Sequence, residues 1–409
     1  MKNGTIKLSL FLNYFVFAIL LNTVGVVILQ SQDFFGVTKT GASVLEGFKD
    51  LPIAIVSFFV ASFLPRFGLK RSMMLALGLV TIACFVMPFA SAFWYFKILF
   101  MTIGISFALI KVSVFATIGL VTDDTKGHSS FMSTLEGVFM IGGLFGNVFF
   151  SWFIDNDDPT SSSWLNTYWV LGGLSLLALG LLSTAKLDES ASLKSDQSGG
   201  EDFASMIALI AKPLVLVFIV SVFMFVLIEQ SFGTWSPTFY KEVLLLPKSM
   251  SAQSAALLAG CAALGRFGAG AVLQKVNWFT VVAVCTILCG AIVLISLPLS
   301  DGIVAQDNST WFNAPIAAYT FPLMAIFLAP IYPTINSVVL SSLPKHKHSA
   351  MAGLIVVFSA LGGTTGSMIT GTVFDNFDGQ TAFYLSLIPM ALMLIALWFF
   401  RQLKAKATV

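Results

Sequence analysis

The chain has 409 residues, of which 57% are apolar and only 10% are charged, whereas an ordinary soluble domain is about a quarter charged. The net charge of +2 provides no basic field for nucleic acid. A soluble globule needs a polar exterior that this composition cannot supply. The composition therefore excludes soluble enzymes, disordered chains, coiled coils and DNA-binding proteins, and it indicates a polytopic membrane protein.

Twelve apolar segments are long enough to cross the hydrocarbon core as helices, which takes about 20 residues each. Alternating β-barrel periodicity is absent, so helices are the spanning element that we predict. The predicted spans are 6–30, 43–64, 72–92, 95–120, 130–154, 165–185, 206–232, 251–273, 278–299, 312–343, 348–374 and 380–401. The first span is too long for a signal-peptide core, so we expect it to be retained.

One long polar stretch, from Lys186 to Asp202, separates the sixth span from the seventh. Its Ser/Gly-rich middle is typical of a flexible linker. We therefore predict an N-terminal six-helix bundle at 1–185, a cytoplasmic linker at 186–205 and a C-terminal six-helix bundle at 206–409.

The distribution of basic residues predicts the orientation. If the N-terminus is cytoplasmic, sixteen Lys and Arg residues lie in cytoplasmic segments and four lie in external ones, as the positive-inside rule requires. Both termini are therefore expected in the cytoplasm. The absence of long glycosylated loops favours the inner membrane of a bacterium.

The two halves carry an internal repeat with a constant offset of 220 residues. Its matching members are His128 with His348, Gly142 with Gly362, Gly143 with Gly363, Gly146 with Gly366, and Asp155 with Asp375. A single GGxxG run is a generic packing face for helices, but two copies at one offset indicate a duplicated bundle. Parallel repeats of six helices are the layout of the major facilitator fold. The sequence thus predicts an all-α membrane protein with twelve transmembrane helices in two six-helix bundles.

Several short motifs resemble the fucose permease group of sugar:proton symporters, within the major facilitator superfamily. They are Leu264–Gly268 at the end of span eight, Tyr332–Thr334 in span ten, the Gly-rich segment Leu361–Gly371, and Glu229 to Trp235 in span seven. The likeness covers most of the chain. It implies a transporter that couples sugar uptake to protons.

The sequence also departs from that pattern. The loop between spans two and three, 63–71, keeps Gly68 and a basic cluster but lacks the superfamily's acid. The group's acid in span one corresponds to Asn22–Thr23 here, its acid in span four corresponds to Lys111, and a glutamine in span five is replaced by Glu136. The group's scheme of proton coupling therefore cannot be transferred to this chain unchanged.

Six charged residues lie within the predicted spans, where they are functional candidates by default because burial in lipid is costly. They are Glu46, Lys49 and Asp50 in span two, Lys111 in span four, Glu136 in span five and Glu229 in span seven. One interpretation is a structural ion-pair network that only balances charge. The other is that an acid carries a proton or a lysine binds solute.

Glu136 is the acid that we predict to couple proton movement to transport. It lies one turn before Gly142 in an apolar segment, and an acid held away from water favours its neutral form. Asp50 and Glu46, which share a helix face, are the rival carriers. We expect Lys111 to lie within ion-pair reach of one of these three acids.

Polar and aromatic residues in both halves are candidates for binding a solute, since amides offer donors and acceptors and aromatic rings offer flat apolar faces. They are Asn13, Tyr14, Asn22 and Gln30 in span one, Lys111 in span four, Gln230 and Trp235 in span seven, and Tyr332 and Asn336 in span ten. Interhelical hydrogen bonding is the alternative for each. Arg66, Arg71 and Arg266 are candidate gate residues.

We therefore predict uptake of a small polar solute, such as a monosaccharide or an acidic sugar derivative, by proton symport. The alternative is proton-coupled efflux of drugs or metabolites, although span five lacks the proline-bearing motif that efflux members usually carry. No catalytic His/Cys/Ser group and no CxxC or HExxH arrangement occurs, so we expect neither enzyme activity nor a metal or cofactor. The expected partners are the solute, protons and the lipid bilayer, without nucleic acid, and the chain is expected to be a monomer.

Overall fold

The structure is a computed structural model that describes residues 4–121, 125–189, 210–305, 309–342 and 348–407. Within these ranges the chain is helical and contains no β-strand. The helices of the first half are α1 (Gly4–Asn22), α2 (Val24–Phe35), α3 (Lys39–Phe67), α4 (Leu69–Val86), α5 (Trp94–Val121), α6 (Thr125–Ser151) and α7 (Thr167–Thr184). Those that follow are α8 (Pro213–Glu242), α9 (Lys248–Val272), α10 (Trp278–Ser296), α11 (Ala317–Thr320), α12 (Met324–Leu328), α13 (Ile331–Ser341), α14 (His348–Asn376), α15 (Gly379–Tyr384) and α16 (Leu387–Ala407).

Each predicted span coincides with one or more of these helices, which confirms the all-α fold class. Ten helical segments of the described chain are long and apolar enough to cross a membrane, judged by length and composition. The other two predicted spans form α3 and α9, which have 29 and 25 residues. Helix α3 is less apolar because it carries Glu46, Lys49 and Asp50.

Two of the predicted spans are broken into shorter helices, one at a threonine and one at prolines. The first span divides into α1 and α2 at Thr23, whose Oγ1 donates a 2.9 Å hydrogen bond to the carbonyl of Ile19. The tenth divides into α11, a short 3₁₀ turn, α12 and α13, with Pro322 in the turn and Pro330 between the last two helices. Proline has no backbone N–H to continue a helical hydrogen-bond ladder, so it favours these breaks.

The chain divides into two compact units. Unit 1 comprises residues 1–37 and 48–199, and unit 2 comprises residues 38–47 and 200–409. The beginning of α3, up to Gly47, therefore belongs to unit 2. The predicted linker at 186–205 lies largely outside the described residues, so the boundaries of the two predicted bundles stay a prediction.

In unit 1, helix α6 packs closely on α1 through glycines of the repeated motif. A Cβ atom on Gly142 would lie 2.7 Å from Ala18 Cβ, and one on Gly146 would lie 3.0 Å from Ile19 Cγ2. Both separations are shorter than an ordinary carbon–carbon contact of about 3.5–4.0 Å. The glycines are thus what lets the two helix backbones approach.

Unit 2 repeats this arrangement with α14 packed on α8. A Cβ atom on Gly362 would lie 2.5 Å from the carbonyl oxygen of Phe223, and one on Gly366 would lie 2.3 Å from that of Leu227. The two copies of the glycine motif therefore serve the same kind of helix contact. The packing function of these glycines and the duplication of the bundle are compatible explanations of one pattern.

Candidate functional site

Two of the predicted charged residues interact in unit 1. Lys111 on α5 and Glu136 on α6 are coupled electrostatically. Lys111 is partly buried and Glu136 is exposed, so the expectation that its apolar segment would bury Glu136 is wrong. Lys111 takes part in none of the ion pairs within 4.0 Å among the described residues. The charges therefore influence each other without a direct salt bridge.

A group of aromatic rings lies beside Lys111. Lys111 Nζ lies 5.8 Å from the ring centroid of Phe107, within the range of a cation–π interaction. The ring of Tyr14, on α1, lies 6.5 Å from that of Phe107 and 5.8 Å from that of Phe139, measured between centroids. Phe107 and Phe139 are 5.9 Å apart. We call Tyr14, Phe107, Lys111, Glu136 and Phe139 the lysine cluster.

Tyr14 is the most buried member of the lysine cluster. It is 1% exposed, and its hydroxyl has no hydrogen-bond partner among the described residues. It also interacts electrostatically with Glu136. A buried hydroxyl without a partner costs free energy, so this position is a candidate for a hydrogen bond that a bound molecule supplies.

The other charged residues of unit 1 form a separate contact on α3. Lys49 Nζ lies 3.6 Å from Asp50 Oδ1, and Lys49 is only 6% exposed. Helix α5 approaches α3 here, because a Cβ atom on Gly104 would lie 2.3 Å from the carbonyl oxygen of Lys49. Asp50 is therefore paired with its neighbour in a tight helix contact.

Glu46, at the beginning of α3, is fully buried within unit 2. Its Oε1 accepts a 2.5 Å hydrogen bond from Thr234 Oγ1 and a 3.2 Å bond from Gln230 Nε2. The structure thus brings together Glu46 and Gln230, which the sequence analysis considered separately. Thr234 was missed, although it lies one turn after Gln230 on the same face of α8.

Another group of polar residues in unit 2 joins α8, α9, α13 and α14. Glu229 and Arg266 interact electrostatically. Tyr332 Oη and Ser359 Oγ lie 3.1 Å apart, and the ring of Tyr332 lies 5.5 Å from that of Phe225. Asn336 lies beside Tyr332 on α13 and interacts with it. Ser359 was missed because a lone serine in an apolar span carries no signal of its own.

Several predicted solute-binding residues have local structural roles. Trp235 is 0% exposed, and its indole Nε1 donates to the carbonyl oxygen of Ser367 at 3.0 Å. Asn22 donates to the carbonyl of Ala18 at 2.8 Å within α1. The bond of Trp235 joins two helices, as the alternative interpretation expects, whereas that of Asn22 stays within α1. A role for either residue in solute binding stays a prediction.

Asn13 and Gln30 are buried, and neither is a member of the lysine cluster. Asn13 is 0% exposed, and neither polar atom of its side chain has a hydrogen-bond partner in the described chain. Gln30 is 3% exposed, and its Nε2 likewise lacks one. A role for either residue in solute binding stays a prediction.

The candidate gate residues lie in different settings. Arg71 is exposed in the first turn of α4, and Arg266 is exposed near Glu229. The side chain of Arg66 lies outside the described part of the chain. No acid occurs in the loop before α4, but Glu189, which the sequence analysis did not single out, binds that helix end with its carboxylate.

The described residues contain no group of three or more His, Cys, Asp or Glu residues that could hold a metal ion. The cysteines Cys84, Cys261, Cys285 and Cys289 are not in disulfides.

Comparison with known proteins gives fold matches over almost the whole chain. The nucleoside transporter NupG is 14% identical, with 96% of this chain and 98% of that chain covered and a TM-score of 0.72. A D-xylose-proton symporter is 14% identical, with 97% and 96% covered and a TM-score of 0.71. The E. coli fucose:proton symporter FucP is 16% identical, with 98% and 99% covered and a TM-score of 0.63. At these identities the matches show the fold alone.

No curated protein sequence matches the chain significantly. The sequence profile of the Major Facilitator Superfamily matches residues 8–366. This range is most of the chain and includes the interacting residues described above, from Tyr14 to Ser359. The chain therefore belongs to the Major Facilitator Superfamily of transporters.

Proposed function

We propose that this transporter takes up a small polar solute together with protons by alternating access, and that the solute is a monosaccharide or an acidic sugar derivative. The observation that carries the proposal is the interaction of Lys111 with Glu136 on two membrane-spanning helices of unit 1. Each charge at membrane depth costs about 2.5–3.5 kcal/mol on insertion scales. A transporter retains such charges where they act on its cargo or its coupling ion.

Glu136 is the proposed proton carrier. Its side chain is exposed in unit 1, as delivery of a proton by water requires, and Lys111 interacts with it electrostatically. Glu46 and Asp50 are less suited to carry a proton. Glu46 is fully buried and accepts two hydrogen bonds, and Asp50 pairs with Lys49. The solute would meet polar side chains and aromatic faces, as sugar rings do in other proteins.

The names of the structural neighbours support this choice of cargo and coupling. Two of them are sugar:proton symporters and one is a nucleoside transporter. The chain is also proposed to lie in the inner membrane of a bacterium, with both termini in the cytoplasm, and to act as a monomer without a cofactor.

The test is gradient-driven accumulation in proteoliposomes. Labelled neutral sugars, sugar acids and nucleosides are offered outside while an inward proton gradient is imposed, with a protonophore as the control. A gradient of one pH unit can sustain about tenfold accumulation at one proton per solute. The proposal requires at least one neutral sugar or sugar acid to accumulate and the protonophore to abolish its accumulation.

Replacing the proton gradient by an inward sodium gradient distinguishes the coupling ion. Accumulation on sodium alone would contradict proton coupling. Solute that leaves preloaded vesicles against its gradient as protons enter would instead support the efflux alternative. A panel in which no solute moves on either gradient would contradict the proposed function as a whole.

A further inference from the structure

The lysine cluster points to the chemical class of the solute. Resting on the proposed function, we propose that the cargo carries a carboxylate, that this carboxylate binds Lys111, and that it competes with Glu136 for the lysine charge. A uronic acid, which combines a sugar ring with one carboxylate, is the simplest solute of this class.

The first argument is that Lys111 lacks a close counter-ion. No carboxylate of the described chain lies within 4.0 Å of its Nζ, and its electrostatic partner, Glu136, acts from a longer distance. Its Nζ lies 5.8 Å from the ring centroid of Phe107. An ammonium in this setting gains most from an anion that approaches directly.

The second argument is the unpartnered hydroxyl of Tyr14. It is buried in the same cluster, electrostatically coupled to Glu136, and without a hydrogen bond in the described chain. A phenol donates a strong hydrogen bond to a carboxylate. The solute would therefore supply the missing partner of Tyr14 and the missing counter-ion of Lys111 with one group.

The third argument concerns the remainder of the solute. The rings of Phe107, Phe115 and Phe139 lie 5.8–6.5 Å from the ring of Tyr14, measured between centroids. These faces suit the apolar C–H surface of a sugar ring. The cluster thus pairs an anion-binding end with an apolar wall.

Competition for one lysine gives a coupling rule. Without solute, the charges of Lys111 and ionised Glu136 sum to zero. When the solute carboxylate binds Lys111, neutrality is kept if Glu136 takes one proton from the solution. Each monoanion would then move with one proton, and the co-transport would be electroneutral.

The neighbouring helices carry other ionisable groups, several of which have partners of their own. Lys49 and Asp50 on α3 pair with each other, and the side-chain amine of Lys70 on α4 donates to the carbonyl oxygens of Ser183 and Ala185. The remaining ones on α1, α4 and α5 are Lys7, Arg71, Cys84, Tyr95 and Lys97. Tyr14 and Lys111 both interact electrostatically with Glu136.

The test is binding to the purified full-length protein. D-glucuronate and D-galacturonate are compared with D-glucose and D-galactose by calorimetry between pH 5.5 and 8. We expect the acids to bind at least about tenfold more tightly than the matched neutral sugars, and more tightly at low pH because Glu136 must accept a proton. Glu136→Gln should remove this pH dependence. Its affinity for the acids should stay at the value that the wild type shows at low pH.

Lys111→Gln should weaken binding of the acids at least about tenfold, and Tyr14→Phe should weaken it about tenfold, because each removes a hydrogen bond to a charged group. The matched control is Lys97→Gln on the same helix. Lys97 also lies over an aromatic ring, 5.5 Å from that of Phe93, but outside the lysine cluster, so its replacement should leave binding unchanged.

The wild-type comparison decides the proposal even if a variant fails to fold. It is overturned if neutral sugars bind as tightly as the acids, or if no carboxylate-bearing member of the panel binds. Proton-driven accumulation of a neutral sugar without binding of acids would overturn it while leaving the proposed function intact. Binding of acids without proton-driven accumulation would contradict the proposed function while leaving the carboxylate site intact.

Discussion

Asp375, at the end of α14, accepts a 2.6 Å hydrogen bond from the backbone N–H of Thr40 in the first turn of α3. Its other carboxylate oxygen accepts a 3.0 Å bond from the N–H of Lys39, whose amine lies 3.0 Å from Glu242 on α8. The N-terminus of a helix carries unsatisfied N–H groups and a partial positive charge. Asp375 therefore caps α3 within unit 2.

Asp375→Asn should loosen this helix end. Losing a cap costs about 1 kcal/mol, so the amides of Lys39 and Thr40 should exchange with deuterium about fivefold faster. Asp157→Asn, at an exposed loop position, is the control and should leave that exchange unchanged. Equal exchange in wild type and Asp375→Asn would show that the carboxylate does not hold the helix end.

A second carboxylate caps α4 in unit 1. Glu189 accepts hydrogen bonds from the backbone N–H groups of Leu69 and Lys70 at 2.8 and 2.9 Å. Gly68 precedes them with φ of 94°, and a Cβ atom there would lie 3.1 Å from Glu189 Oε2. The acid that the loop lacks in sequence is thus supplied by the segment that follows α7.

Glu189→Gln should lower the midpoint of thermal unfolding by roughly 2 °C, because it weakens a cap of about 1 kcal/mol. Gly68→Ala should lower it further, since alanine disfavours positive φ and meets Glu189. Lys186→Gln, which changes a nearby exposed charge, should have no effect. Unchanged unfolding in Glu189→Gln would contradict the capping role.

The sequence predicted the fold well because membrane-spanning helices declare themselves by length and apolarity. It did not predict that Glu189 caps α4, because the contact joins residues 120 positions apart and no local pattern marks either partner. The break at Thr23 was also missed, since a threonine that bonds to the preceding turn resembles any other threonine in a span.

The candidate site was predicted in part. Charge in an apolar segment singled out Lys111, Glu136, Glu229 and Glu46, because the energetic cost of each is visible in sequence. Packing was not visible, so the hydrogen bond of the buried Trp235 to Ser367 was not predicted. The aromatic partners of Tyr14 come from α5 and α6, and only the fold brings them together.

The packing of α14 on α8 gives a prediction about stability. Gly366→Ala places a methyl group against the carbonyl oxygen of Leu227, and overpacking of this kind costs about 1–3 kcal/mol. Thermal unfolding of the purified protein should occur at a lower temperature. Gly260→Ala on α9, where a Cβ atom meets nothing within 4 Å, is the control and should be neutral or stabilising. Equal unfolding temperatures for the two variants would contradict the close packing.

Glu46 is expected to act through its hydrogen bonds. Thr234→Val keeps the shape of the side chain but removes the donor to Glu46, which should destabilise the protein by about 1.5–3 kcal/mol. Glu46→Gln retains an acceptor for Thr234 and should preserve proton-driven accumulation. Loss of accumulation in a folded Glu46→Gln protein would make Glu46 a proton carrier.

The most direct measurement of the central claim compares two transport modes of Glu136→Gln. This change keeps size and hydrogen bonding but removes titration. We predict that proton-driven accumulation in proteoliposomes falls at least about tenfold, while exchange of labelled for unlabelled solute across the same membrane continues, because exchange needs no net proton movement. Normal accumulation by Glu136→Gln, together with its loss in Asp50→Asn, would contradict the account and assign the coupling to α3.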